Sequence, residues 1–491
     1  MKGSASDFRV GLTFDDVLLV PKFSDVKSRR DADTRTRFSR RIQLSVPVVS
    51  ANMDTVTESS MAIALARLGG LGVIHRFLSV EEQVAEVLKV KRSEGVVIED
   101  PVTLGPDRPV REAVAIISDR DVGGIVIVDG SRKVVGLLTR RDITLEDDLD
   151  RKVREVMTPR AKLITARKGV SMEEAKKILH SNKIEKLPLL DGRGKLAGLI
   201  TSKDIMKRKQ FPSATKDAKG RLRVAAAVGV KGDHMERSRR LLDAGADALV
   251  VDIAHGHSAY AIDTLRGIKR ALGDVEVVAG NVATSRGALD LIKAGADAVK
   301  VGVGSGSICV TRVVTGSGVP QLTAILDSAQ GAADSDVPII GDGGIRVPGD
   351  VTKALAAGAS SVMVGSLFAG TEESPGPTIL REGVRYKLTR GMASLAATVD
   401  RRVRETRTTG PGEDEVIEEV IQENVPEGVE GLIPYKGRVE EVVKQLVGGL
   451  RSGMSYTGAH SLTELRKKAE FMRITSAGYK ESLPHDIQRV A

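Results

Sequence analysis

Three segments of this chain are near copies of one another: LLDAGADALVVD at 241–252, LIKAGADAVKVG at 291–302 and ALAAGASSVMVG at 354–365. Each joins the end of a helix-period stretch to an apolar run, through a glycine free to take the left-handed conformation that closes a helix. A joint used this way imposes alternation of helix and strand. From Arg221 onward, strand-length apolar runs occur at 224–230, 248–253, 275–279, 298–303, 337–340 and 361–364, with helix-period stretches between them. Such runs, lacking polar alternation, mark parallel strands buried on both faces. Two earlier runs, 47–50 and 72–74, flank a helical stretch at 60–67 and bring the count to eight. The pattern predicts an α/β fold of the TIM (β/α)8 type, with its ligand contacts at the C-terminal ends of the strands.

Residues 92–210 break this rhythm. GLLTRRDI at 136–143 matches GLITSKDI at 198–205, and Pro101-Val-Thr103 matches Leu163-Ile-Thr165 at the same offset. Each copy has a helix-period stretch (110–120 and 171–182) followed by two short β runs (124–128 with 134–138, 186–190 with 196–200). Tandem copies of one small unit predict a pair that buries a shared face. The expected domains are therefore 1–91, first part of the barrel; 92–210, a tandem α+β insertion; and 211–491, the rest of the barrel. Within the last, about 391–437 is long, polar and poor in strand pattern, which predicts a mobile flap or lid. Arg401, Arg402, Arg404 and Arg407 bring cations to it.

The strand ends carry the chemistry. After the run at 298–303 comes a loop of spaced glycines, Gly302, Gly304 and Gly306, then the single cysteine of the chain, Cys309, with Thr311 and Arg312 behind it. Such a loop lets backbone approach a ligand and offers amides to an anion. A thiol in an electropositive, partly exposed setting is a nucleophile, so Cys309 is read as one. Gly341-Asp342-Gly343-Gly344 and Gly365-Ser366 follow the last two runs, where such barrels hold phosphate, and Asp342 suits a ribose hydroxyl. His255 and His257 have no carboxylate near them in sequence and do not suggest a metal. Met53 and Asp54 follow the first run, another rim position.

The charge balance is +9, from 74 basic and 65 acidic residues, and only 3% of residues are aromatic. Dispersed charge without stacking platforms argues against nucleic acid and suits small anionic substrates. A lone cysteine, no apolar leader and no membrane-length run point to a soluble cytoplasmic protein.

Taken together, VSANMDTVTE, GSICVTR, GDGGI, MVGSL, RGMASL and PEGVEGLIPYKG resemble the inosine 5'-monophosphate (IMP) dehydrogenases across essentially the whole chain. The two GxxTxxD copies resemble a tandem CBS (Bateman) module. The resemblance implies NAD-dependent oxidation of IMP to xanthosine 5'-monophosphate (XMP) by a K⁺-activated homotetramer, or an octamer assembled through the CBS pair. Position by position, it implies that Cys309 attacks the purine C2, with Thr311 orienting the reacting groups. Ser307, Gly344, Gly365 and Ser366 would hold the phosphate and Asp342 the ribose, while Met53, Met392 and Glu427 meet the base. Asp252, Asn281 and Gly302 would line the nicotinamide side of the NAD pocket. The carbonyls of Gly304, Gly306 and Cys309 would bind K⁺ with Glu481 and Ser482 of a neighbouring subunit. Thr139, Asp142, Thr201 and Asp204 would lie near the ribose of a regulatory purine nucleotide.

The chain departs from that family in places. Ser305 replaces a usual proline, Val310 a common threonine and Thr389 a tyrosine that touches phosphate. The lid lacks the family's adjacent Arg-Tyr pair, whose arginine is the hydrolytic base; Arg404 is the nearest candidate, with Arg401 and Arg407 behind it. GMP reductase shares the cysteine loop but uses NADPH for reductive deamination. The CBS pair and the PEGVEG segment favour the dehydrogenase. A nucleotide-sensing or nucleic-acid-binding scaffold is the third reading, and intact Cys309, Thr311, Asp342 and Glu427 weigh against it.

Overall fold

The computed structural model describes residues 8–94, 97–120, 122–144, 146–406, 413–423 and 425–484. The chain forms two compact units. One contains the residues up to Lys91, Ser213–Asp217 and those from Leu222 onward; the other contains Arg92–Pro212 and Ala218–Arg221.

The first unit is a closed barrel of eight parallel strands. They are β1 (Val48–Ser50), β2 (Leu71–Ile74), β3 (Ala225–Val228), β4 (Ala248–Asp252), β5 (Val277–Val282), β6 (Ala298–Val301), β7 (Ile339–Asp342) and β8 (Ser361–Val364). Closure runs through β8 to β1, where Val362 faces Val48, and through β2 to β3, where Val73 faces Ala225. All eight strands lie where the apolar runs place them. Their residues are buried on both faces because helices cover the outside and side chains fill the middle.

The repeated joints explain the closure. Gly245, Gly295 and Gly358 follow helices His234–Asp243, Ser285–Lys293 and Pro348–Ala356 with φ of +98°, +105° and +116°. The next amide reaches back to close each helix end: Ala246 N to Leu241 O at 3.0 Å, Ala296 N to Leu291 O at 3.1 Å, and Ala359 N to Ala354 O at 3.1 Å. In two copies the aspartate after that alanine caps the preceding strand. Asp247 Oδ2 accepts from Val224 N at 2.9 Å, and Asp297 Oδ2 accepts from Val277 N at 2.8 Å. Leu241 and Leu291 are fully buried there, so truncating either to Ala would cost about 2–5 kcal/mol.

In the second unit both copies fold alike. Helices Val110–Asp119 and Met172–Ser181 each precede an antiparallel hairpin, Gly124–Val128 with Val134–Thr139 and Lys186–Leu190 with Leu196–Thr201. Val126, Val134 and Leu137 of one copy share an apolar cluster with Leu196 and Leu199 of the other. The copies therefore bury a common face.

The polar tract at 391–437 differs from expectation, because much of it is helical. Helices Leu395–Thr406 and Glu413–Glu423 pack against each other, burying Ala397 and Val420. Dense charge obscured an apolar period of helical spacing. The pair sits beside a three-stranded antiparallel sheet of Thr378–Arg381, Val384–Arg390 and Glu430–Pro434. Among the described residues, no helix is long and apolar enough to cross a membrane.

Candidate active site

Strand β6 delivers the cysteine loop to the rim. Gly302 and Gly304 adopt φ of +150° and +71°, and the loop ends in a short helix, Thr311–Thr315. Cys309 is half-buried, and its Sγ lies 3.1 Å from Thr311 Oγ1. The Arg312 guanidinium is occupied in holding the loop, donating to Val303 O at 3.0 Å and Val319 O at 2.5 Å. Burial lowers its pKa below the usual arginine value, and the charge of Cys309 acts in the opposite sense. The hydrogen bonds of Arg312 are thus spent on the loop backbone.

One distant segment is bonded to this loop, and a second is bonded to the first. Val310 N donates to Glu427 O at 2.8 Å and Val429 N to Ile308 O at 3.0 Å, while Gly391 N donates to Val429 O at 3.0 Å and Glu427 N to Ala393 O at 3.0 Å. Gly391 and Gly428 permit this approach: a Cβ on Gly391 would lie 3.1 Å from Gly428 Cα. The structure thereby brings Cys309, Met392 and Glu427 together. Asp54 N contacts Met392 Sδ at 3.3 Å, and Met53 Sδ lies 3.4 Å from where a side chain on Gly365 would begin. The turn after β7 joins the same body, because Asp342 O accepts from Ser305 Oγ at 3.0 Å and from Gln321 Nε2 at 3.1 Å. Ser305, where the family usually has proline, is therefore a strap between loops. Gly344 borders this turn and Ser366 opens helix Ser366–Ala369 after Gly365, while Ser307 is exposed on the cysteine loop.

Inside the rim lies a charged cluster of Asp252, Asn281 and Asp342 around Lys300, the one member that sequence reasoning missed. Lys300 of β6 is buried, and its Nζ donates to Asp252 Oδ1 at 2.9 Å, Asp342 Oδ2 at 2.8 Å and Asn281 Oδ1. Asn281 Nδ2 in turn donates to Gly302 O at 2.8 Å and Asp342 Oδ2 at 2.9 Å. Burial works against the Lys300 charge, but Asp252 and Asp342 outweigh it and hold the ammonium well above the ordinary lysine value. Burial likewise opposes ionisation of Asp252, yet Lys300 and Arg76 keep its carboxyl below the usual range. The available signal was a lysine inside the apolar run AVKV of a strand buried on both faces.

A sequence model described as the IMP dehydrogenase / GMP reductase domain matches residues 11–485. The chain belongs to the IMP dehydrogenase/GMP reductase family. It is 56% identical to the inosine-5'-monophosphate dehydrogenase of Nitrosopumilus maritimus, over 98% of this chain and 99% of that one. It is 53% identical to that of Aquifex aeolicus, over 97% and 96%. A solved structure of a GMP reductase from Trypanosoma brucei, a cysteine-to-alanine variant in complex with guanosine 5'-monophosphate, superposes with TM-score 0.91 at 43% identity, covering 99% of both chains. That reductase spans the inserted unit as well, so the insertion does not separate the two activities within the family.

Arg390, at the end of strand Val384–Arg390, and helix Leu395–Thr406 reach the rim by side chains. Arg390 Nε donates to Asp54 Oδ2 at 2.7 Å and Arg390 Nη1 pairs with Asp400 Oδ2 at 2.6 Å. Asp54, Glu58, His75, Phe77, Leu78, Arg390, Asp400, Arg401 and Arg404 line a cavity of about 130 Å³. Arg404 Nη1 donates to Phe77 O at 2.5 Å rather than to the cysteine loop, and Arg401 stands 5.9 Å from the Phe77 ring centroid. Arg407 lies outside the described residues. Thr389 is buried, and its hydroxyl meets Thr55 Oγ1 at 3.3 Å.

Other family positions are placed more simply. His257 Nε2 pairs with Asp290 Oδ2 at 3.0 Å, and among the described residues no cluster of His, Cys, Asp and Glu could hold a metal ion. Thr139 N and Oγ1 both donate to Asp142 Oδ2, at 2.7 and 2.8 Å, at the start of helix Arg140–Thr144. Thr201 ends the matching strand of the second copy; the Asp204 side chain is outside the description. Glu481 and Ser482 are exposed at the end of helix Ser476–Glu481.

Proposed function

We propose that the chain oxidises IMP to XMP with NAD⁺, through a covalent bond to Cys309 that is later hydrolysed. The observation that carries this reading is the single backbone-bonded body formed by the cysteine loop, the Met392 turn and the Glu427 segment. It puts a thiol where a base can be held against it. The Cys309 thiolate adds to C2 of the purine, and the C2 hydrogen departs with its electron pair. NAD⁺, when bound, accepts that hydride. Loss of hydride leaves a C2–N double bond in a thioimidate on Cys309. Water then adds at C2, the C–S bond breaks, and XMP is released with the thiolate restored.

Thr311, within hydrogen-bond distance of Sγ, orients the thiol and the incoming water. Glu427 meets the N1 side of the base, and Met53 and Met392 pack on it. Ser307, Gly344, Gly365 and Ser366 take the phosphate and Asp342 the ribose. Asp252, Asn281 and Gly302 face the nicotinamide, and Arg404 is the candidate hydrolytic base on the lid. For K⁺, the carbonyls of Gly304, Gly306 and Cys309 form an all-oxygen donor set of the kind that replaces its hydration shell, completed by Glu481 and Ser482 of a neighbouring subunit in a homotetramer. Residues 92–210 act as a CBS pair that binds a purine nucleotide through Thr139, Asp142, Thr201 and Asp204. Calorimetry with ATP or GTP tests that binding, and absence of heat counts against it.

The T. brucei superposition supports a second reading, NADPH-dependent reduction of GMP to IMP on the same cysteine. Parallel absorbance assays with K⁺ separate the two. Steady NADH formation from IMP and NAD⁺ supports the dehydrogenase, whereas NADPH loss with GMP supports the reductase.

A further inference from the structure

We infer that Lys300 is a positioning residue that sets the substrate and dinucleotide sites against each other. This rests on the reading of Asp342 as the ribose partner and Asp252 as a dinucleotide partner. An ammonium has three N–H groups, and all three of Lys300 are spent, on Asp252, Asp342 and Asn281. Its side chain is 3% exposed, so it has no donor left for a ligand and acts through the groups it holds. From β6 it reaches the ends of β4, β5 and β7, tying the two carboxylates to the strand that carries the cysteine loop. Asp342 Oδ2 takes both Lys300 and Asn281. Its Oδ1 makes no hydrogen bond among the described residues and is the oxygen left for a ribose hydroxyl. Asn281 also holds Gly302 O, so the same ammonium fixes where the loop leaves the strand. Without the cation, two half-buried carboxylates would repel each other, and both ligand sites would shift together.

The test uses the full chain as wild type, Lys300→Arg, Lys300→Met and the double variant Lys300→Met/Asp252→Asn, each checked by thermal unfolding. The double variant removes one of the two facing negative charges, so it keeps the question open to measurement if Lys300→Met does not fold. Initial rates are measured with IMP and NAD⁺ varied separately. Lys300→Met is expected to lose about a hundredfold in kcat/KM, a size typical of removing one partner of a buried charge pair. The KM for IMP and the KM for NAD⁺ should rise together. Lys300→Arg should recover most of that loss. In the double variant the KM for IMP should stay raised, because Asp342 still lacks its cation. Folded Lys300 variants with both KM values unchanged would overturn the proposal, since a merely structural lysine lowers only the amount of active protein. A wild type that ignores IMP but consumes NADPH with GMP would overturn the IMP reading alone; the same variants then decide Lys300 on GMP and NADPH.

Discussion

The two sides of the site are held by different means. On the cysteine side, segments far apart in sequence, at 308–310, 391–393 and 427–429, are joined backbone to backbone. Behind them a buried ammonium ties three strand ends. On the lid side, attachment is through side-chain tips: Arg390 bridges Asp54 and Asp400, and Arg404 reaches the Phe77 carbonyl. Backbone ladders inside a barrel rim hold a nucleophile to the tolerance that bond formation at C2 demands. Side-chain attachments, to the buried Asp54 and the half-exposed Asp400, suit a part that on the proposed reading admits a dinucleotide and then brings a base. On the proposed reading, addition and hydride loss belong to the fixed side and hydrolysis to the latched side.

That contrast predicts effects of unequal size. Cys309→Ala should abolish NADH formation, by at least about 10⁴-fold, while calorimetry still shows IMP binding. Arg404→Gln should lower steady turnover by about 10²- to 10³-fold, the range for loss of a general base. It should leave a stoichiometric burst of NADH in stopped flow; loss of the burst would place Arg404 on the fixed side instead. Arg390→Leu leaves Asp54, whose side chain is 9% exposed, without its cation. It should cost about 3 kcal/mol in denaturant unfolding and slow hydrolysis more than the burst.

The smallest effect concerns pH. Asp252 is held below the ordinary carboxylate value in the folded chain. Its contribution to stability is complete above the unfolded value near ~4, and is lost as pH falls through the folded one. Asp252→Asn should flatten that acid limb in denaturant titrations, and an unchanged limb would contradict the network.

The barrel was legible because its signals are local. A strand buried on both faces shows as an unbroken apolar run, and the AGAD joints announce a helix end, a left-handed glycine and a strand in consecutive residues. The Cys309 loop was legible for the same reason. What was hidden depends on long-range partners. Backbone amides of Val310 and Val429 carry no side-chain signature for bonding across the rim. Lys300 was hidden in a run that otherwise read as plain core. The helix pair at 395–406 and 413–423 was hidden by composition, since charge on its outer faces diluted the apolar period. His255 and His257 have no carboxylate near them in sequence, but in space His257 pairs with Asp290, which Arg286 also engages.

The most direct test of the central claim is rapid mixing of the protein with IMP and NAD⁺, acid quenching within the NADH burst, and mass analysis of the Cys309 peptide. The account predicts a purine nucleotide adduct on Cys309 that rises with NADH and decays with XMP release. NADH formed with Cys309 unmodified throughout would contradict it.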